Sequence, residues 1–282
     1  MKKHLAGIIP VSGIKSDFNM PWHESLMPIA PNYLAVERSV LECAYAGCET
    51  IWVVCADDVT PLLRYHIGEI VEDPVYTYRH FEFNKAEVKR PIRIYYIPIN
   101  IRDINKRDNL GWSAIYGAYS SNKIISKISK HLAPERFWIA WPYGYSAPSE
   151  SRQIRKDLQR ENVMLACGED SIQNGSYLGF SLDIAQVRQL LSESRTRSTG
   201  LWVDPDTREK RYSKEERYSY RNFNLKKVFE TLDYCNYNVR SVKEYYSLDS
   251  WQNYCQFLSA KSDLKKPKIL KSQEWNEVGL DE

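Results

Sequence analysis

Short apolar runs alternate with helix-spaced patterns along the first two-thirds of the chain. Residues 6–11 are apolar up to a polar loop that starts at Ser12 and Gly13, and 50–55 (TIWVVC) form a continuous run of the kind a strand buried on both faces requires. The same signature returns at 93–99, 137–141, 163–167 and 177–181. Between the first two runs, the spacing predicts a helix over 34–45 with Val36, Val40, Leu41 and Ala44 on one face and Gly47 as its stop. Further helices are predicted over 61–70, 113–132 and 183–192. The long one turns Ile115, Tyr119, Ile125, Ile128 and Leu132 inward and is closed by Pro134. Two more are expected over 225–234 and 247–259.

This alternation implies right-handed crossovers and an α/β fold: a three-layer, mostly parallel sheet with helices on both faces. One domain is expected over 1–260, with a polar insertion at 194–220 built as a loop or hairpin around Asp204, Pro205 and Asp206. Residues 261–282, with Pro267 and an isolated Trp275, read as a tail that is mobile or docked on a partner. Ligands of such sheets bind beyond the carboxyl ends of the strands, which directs attention to 12–20, 56–58, 102–112 and 142–149.

Charge narrows the function classes. The 39 basic and 36 acidic residues leave a net +3, too balanced to indicate nucleic acid. The basic clusters at 152–160 and 208–221 are interleaved with acids and read as solvated surface, although Arg152, Arg155 and Lys156 also have the composition of an anion clamp. No apolar run approaches the ~20 residues that cross a bilayer, so no membrane partner is expected. The N-terminal apolar stretch is too short for a secretory leader, and a cytoplasmic location is the expectation. The six cysteines contain no CxxC pair, which argues against zinc. The 20 tyrosines and 8 tryptophans are unusual for this length; such aromatics favour interfaces and stacking surfaces, and so suit a protein partner or self-association, but many must simply fill the core.

Several segments carry a family likeness. GIIPVSG at 7–13 leads by way of ESLMPI at 24–29 into PNYLAVERSVLECAYAG at 31–47 and IWVVC at 51–55. NLGWSAI at 109–115 and YSLDSWQNY at 246–254 follow later. In order and spacing this resembles the sugar-phosphate nucleotidyltransferases, whose fold is of the glycosyltransferase-A type and which include the nucleotide-sugar pyrophosphorylases. The resemblance implies transfer of a nucleotide from an NTP to a sugar 1-phosphate with Mg2+ as cofactor. It also implies a cleft lined by Ser12, Gly13, Lys15, Ser16, Glu24, Gly111, Trp112, Ser113 and Tyr143.

The departures from the family pattern fall on the chemistry. The Gly-rich phosphate loop keeps one glycine in SGIKSD (12–17), leaving Lys15 as the point charge for a phosphate. Glu24 stands where the family has a catalytic Lys. Tyr143 stands where it has a metal-binding Asp after the fourth strand, and Asn224 replaces the second such Asp. Asp57 and Asp58 are a substitute metal pair or a solvated strand-end turn with helix capping. His23 is a loop histidine with surface or catalytic roles open. Transfer of a sugar from a nucleotide donor is disfavoured, since no Asp-x-Asp follows the fourth strand.

Two readings follow. One is a nucleotidyltransferase-like protein that binds a nucleotide or sugar phosphate, with Lys15 on phosphates and Trp112 near the base, and with weakened or lost catalysis. The other is a non-catalytic scaffold or regulator reusing the fold. A cleft lined by polar donors fits the first. A cleft plugged by Trp22, Trp112, Trp141 and Tyr143 fits the second.

Overall fold

A computed structural model describes residues 4–13, 23–77, 90–198, 202–203, 210–211, 220–268 and 270. A nine-stranded sheet organises them: β1 (Leu5–Pro10), β2 (Thr50–Cys55), β3 (Ile70–Glu72), β4 (Pro91–Pro98), β5 (Arg136–Ile139), β6 (Asn162–Cys167), β7 (Asp170–Ser171), β8 (Phe180–Asp183) and β9 (Tyr237–Ser241). The spatial order is β7-β6-β8-β5-β1-β2-β4-β3, with β9 beside β6. β5, β1, β2 and β4 run parallel, as does the β9–β6 pair. β8 enters antiparallel between β5 and β6, and β3 is antiparallel on β4. The sheet is thus mixed but mostly parallel, as the alternation of runs requires.

Six longer helices accompany it: α1 (Ala35–Ala46), α2 (Thr60–Ile67), α3 (Ile101–Arg107), α4 (Leu110–Ile128), α5 (Ile184–Ser198) and α6 (Trp251–Ala260). α1 and the Tyr254 and Phe257 face of α6 close a core on one side of the sheet. Trp112, Ala114, Ile115 and Ala118 of α4, with Val187, Leu190 and Leu191 of α5, close the other. α1 ends where expected. Gly47 adopts φ +86, and its N–H bonds the carbonyls of Ala44 and Cys43. A side chain there would meet Arg155, whose Nε would lie 2.6 Å from the added Cβ.

Several expectations are corrected. Ile128 and Leu132 are exposed rather than inward, because α4 stops at Ile128 and a 3-10 turn, Lys130–Leu132, carries the chain away. α5 extends to Ser198, so the insertion begins later than residue 194. Within it Trp202–Val203 pairs with Lys210–Arg211, a hairpin, while the 204–206 turn lies outside the described residues. The helix foreseen over 225–234 is one turn, Leu225–Val228, followed by the unforeseen β9. Gly144–Tyr145, in the 142–149 stretch, is buried and pairs with Tyr246–Ser247. The start of the tail docks on the protein itself. Leu264 and Leu270 pack on the α1-side core, and Lys266 Nζ lies 2.8 Å from Glu37.

Candidate functional site

The carboxyl ends of β1, β2 and β5 converge with the N-terminus of α4. β1 runs on into Val11 and Ser12, whose amides both donate to the Val54 carbonyl, at 2.9 and 3.2 Å. Gly13 then turns with φ +89, and a Cβ there would come within 2.4 Å of the Asn109 backbone, so only glycine fits. Asn109 caps α4 through Oδ1, which accepts the Trp112 N–H at 2.7 Å, while its Nδ2 donates to the Tyr220 carbonyl at 2.7 Å. Ser113 Oγ donates to the Ser12 carbonyl at 2.7 Å, and Ser12 Oγ donates to Asp108 at 3.2 Å. Ser12, Gly13 and Ser113 therefore do come together, but their polar groups bind one another.

The aromatic residues face inward. Trp112 is 2% exposed and lies within the core, with the Arg107 guanidinium 5.2 Å from its ring centroid. Its indole N–H is buried with no acceptor. Gly111 faces Val228, whose Cγ1 would be 2.7 Å from an added Cβ. Tyr143 is fully buried and spans the end of the sheet. Its hydroxyl donates to the Val11 carbonyl at 2.6 Å, and its own carbonyl accepts the Leu248 N–H at 2.8 Å. Burial, and then the nearby Glu24 charge, push the phenol well above its usual range, so it is neutral. Trp141 is equally buried, with its indole donating to the Leu178 carbonyl and Phe180 stacked beside it.

Glu24 opens a 3-10 turn, Glu24–Leu26, capped by His23. His23 Nδ1 lies 2.9 Å from Ser25 Oγ and accepts the Ser25 N–H, and burial lowers its pKa against the opposing charges of Glu24 and Asp58. Asp57 and Asp58 are exposed, and neither caps α2, whose N-cap is Val59. Asp57 borders a recess of about 470 Å³ with Thr60, Pro61, Arg64 and Tyr65. Arg155 is committed elsewhere: Nη1 bonds the buried Asp73 at 2.9 Å and Nη2 at 2.5 Å, which removes it from any anion clamp. Asn224 caps the Leu225–Val228 turn. Lys15, Ser16 and Trp22 lie outside the described residues.

A divalent cation does not fit this donor set. The position that the resemblance assigns to a metal carboxylate holds a neutral phenol already bonded to a carbonyl. Among the described residues no three His, Cys, Asp or Glu side chains converge as a metal site requires.

Sequence reasoning passed over one group entirely. Arg38, 1% exposed, donates from Nη1 to Glu42 at 2.7 Å and from Nη2 to the Trp141 carbonyl at 2.5 Å, and Trp138 Nε1 donates to Glu42 at 3.1 Å. This buried pair fastens α1 to the loop that carries Tyr143. Its trace in the sequence is an arginine and a glutamate four apart in a helix whose other charge is Glu37.

No family model matches the chain, and no curated protein matches it in sequence. Solved structures do match it in fold. A putative glucose-1-phosphate thymidylyltransferase from Bacillus anthracis, in complex with a sucrose, superposes with TM-score 0.54 at 8% identity, covering 94% of this chain and 98% of that one. Apo-UDP-glucose pyrophosphorylase superposes with TM-score 0.50 at 14% identity, covering 93% and 99%. The fold is that of the sugar-phosphate nucleotidyltransferases.

Proposed function

We propose that this protein is a catalytically silent relative in fold of the nucleotide-sugar pyrophosphorylases, serving as a scaffold or regulatory protein. The observation that carries the reading is Tyr143. A full-sized aromatic side chain stands at the position that the resemblance assigns to a metal carboxylate, is sealed from solvent and is bonded to β1's extension. Trp112 and Trp141 are buried in the same core cluster. Phosphoryl chemistry of this kind depends on cations and free donors arranged around the phosphates. Here Glu24 adds negative charge, and the serines at the mouth are spent on each other.

A second reading is retained affinity for a nucleotide or sugar phosphate without turnover. It is favoured by the Trp112 indole N–H, a buried donor with no acceptor of its own. Thermal-shift measurements with the four NTPs, nucleotide sugars and sugar phosphates, with and without Mg2+ or Mn2+, separate the readings. A ligand that binds only the native state raises the midpoint by mass action. The scaffold reading expects no shift at about millimolar ligand. A metal-independent shift supports retained binding. A metal-dependent shift with one nucleotide overturns the loss of chemistry.

A further inference from the structure

A groove lies on the α4 side of the sheet, away from the residues described above. β4 exposes Arg93 and Tyr95 there, because α4 covers only the later part of the strand, at Ile97. Its floor is the Trp52 ring stacked on Tyr95, with centroids 4.5 Å apart, and its far wall is Ile124, Ile125 and Ile128 of α4. The recess measures about 520 Å³ and continues around the outer edge of β4 to Arg64, Glu69 and Tyr96. β3 pairs with β4 only at Pro91, Ile92 and Arg93, and β2 holds the inner side of Tyr95–Pro98, so among the described residues no strand lies on the outer side of that stretch. The apolar content of this face is high for solvent-facing surface: Ile128 is 82% exposed and Leu132 58%.

The rim is basic. Lys123, Lys127 and Lys130 stand exposed beside the isoleucines on α4 and the turn after it, and Arg93 and Arg64 stand across from them. Among the described residues Glu69 is the one acid lining the groove, 3.7 Å from Arg64. Two copies meeting across this face would set lysine against lysine, which costs affinity. A bilayer offers no convex ridge for a recess of this depth. Single-stranded nucleic acid is held by successive stacking platforms, and the floor offers one exposed ring, Tyr95, already stacked on the buried Trp52.

We infer that this groove receives an acidic polypeptide segment of another protein, whose aliphatic or aromatic side chains enter between Tyr95 and Ile128 while its carboxylates meet the basic rim. An extended segment suits the open edge of β4, where alternate side chains point inward.

The test uses the full chain and a labelled degenerate peptide pool of about 12 residues, Asp or Glu alternating with Leu, Phe or Trp, read by fluorescence anisotropy. The pool binds, and a twin pool with Lys in place of the acids does not. Ile128→Glu weakens binding by roughly tenfold or more, since it places a charge in the anchor site. Lys127→Glu with Lys130→Glu weakens it too, and the wild-type affinity falls as salt shortens the Debye length. These side chains are exposed, so an unchanged thermal midpoint keeps the comparison free of unfolding. The inference is overturned if the acidic pool fails to bind or binds Ile128→Glu equally well. It is also overturned if an oligothymidylate or an anionic vesicle binds in the pool's place. Concentration-dependent dimers in sedimentation that vanish in Ile128→Glu overturn it in favour of a second copy.

Discussion

Tyr143 shows how one side chain can tie together the end of a sheet. Its hydroxyl satisfies the Val11 carbonyl at a place with no water access, so Tyr143→Phe strands a buried acceptor and is expected to cost about 1–3 kcal/mol by urea denaturation. Tyr143→Asp, the residue type that the resemblance implies here, is expected to lose more and to gain no Mg2+-dependent thermal shift, because among the described residues no second and third ligand converge. Arg38 makes a complementary case with a pH signature. Burial raises the Glu42 carboxyl above its ordinary 4.5, and Arg38 opposes the rise. In Arg38→Met the opposition is gone and the native pKa climbs further. Between 4.5 and that raised value the native state holds a proton the unfolded chain has released, so stability falls as pH rises through the window. The variant is expected to lose about 3–5 kcal/mol at neutral pH and much less near pH 4.5, as read from denaturation curves at both.

At the scale of elements, β2 and α1 are legible in the sequence because each is long, periodic and punctuated: TIWVVC forms its strand residue for residue, and Gly47 stops its helix. β9 was not legible. Its half-buried Asn238 and exposed Val239, Arg240 and Ser241 lack an alternating signal, and its pairing with β6 is set by tertiary context. The inward face assigned to α4 failed at Ile128 for a related reason: periodicity finds an apolar stripe but not whether anything covers it. Of the candidate site, motif order pointed to Ser12, Gly13 and Ser113, while Asp108, which accepts from Ser12 Oγ, carries no motif. Glycine positions at element ends give a direct check. Gly13→Ala faces both a left-handed φ and backbone atoms of Asn109, and it should cost about 1–3 kcal/mol. Gly47→Ala meets only the flexible Arg155 side chain besides its φ, and about 1 kcal/mol is expected; thermal denaturation of the two variants orders them.

For the whole molecule, closure depends on its last described segment. Tyr254 and Phe257 of α6 and Leu264 complete the α1-side core, and Tyr254 donates to the Pro28 carbonyl at 2.6 Å. Removing residues 261–282 should lower the thermal midpoint by several degrees through loss of the Leu264 and Leu270 contacts and the Lys266–Glu37 pair, without loss of helical circular dichroism. Tyr143 itself ties Val11 through its hydroxyl and Leu248 through its carbonyl, bringing an early, a middle and a late stretch of chain to one residue. On a ribosome, where residues emerge in order, β1, β2, β4 and β5 can pair early, but the Tyr143 end of the sheet and the α1-side core are covered only after residues 246–264 have been made. Until then a nascent chain exposes apolar surface on that side. Translation pauses late in the message should raise its dependence on chaperones more than pauses early in it.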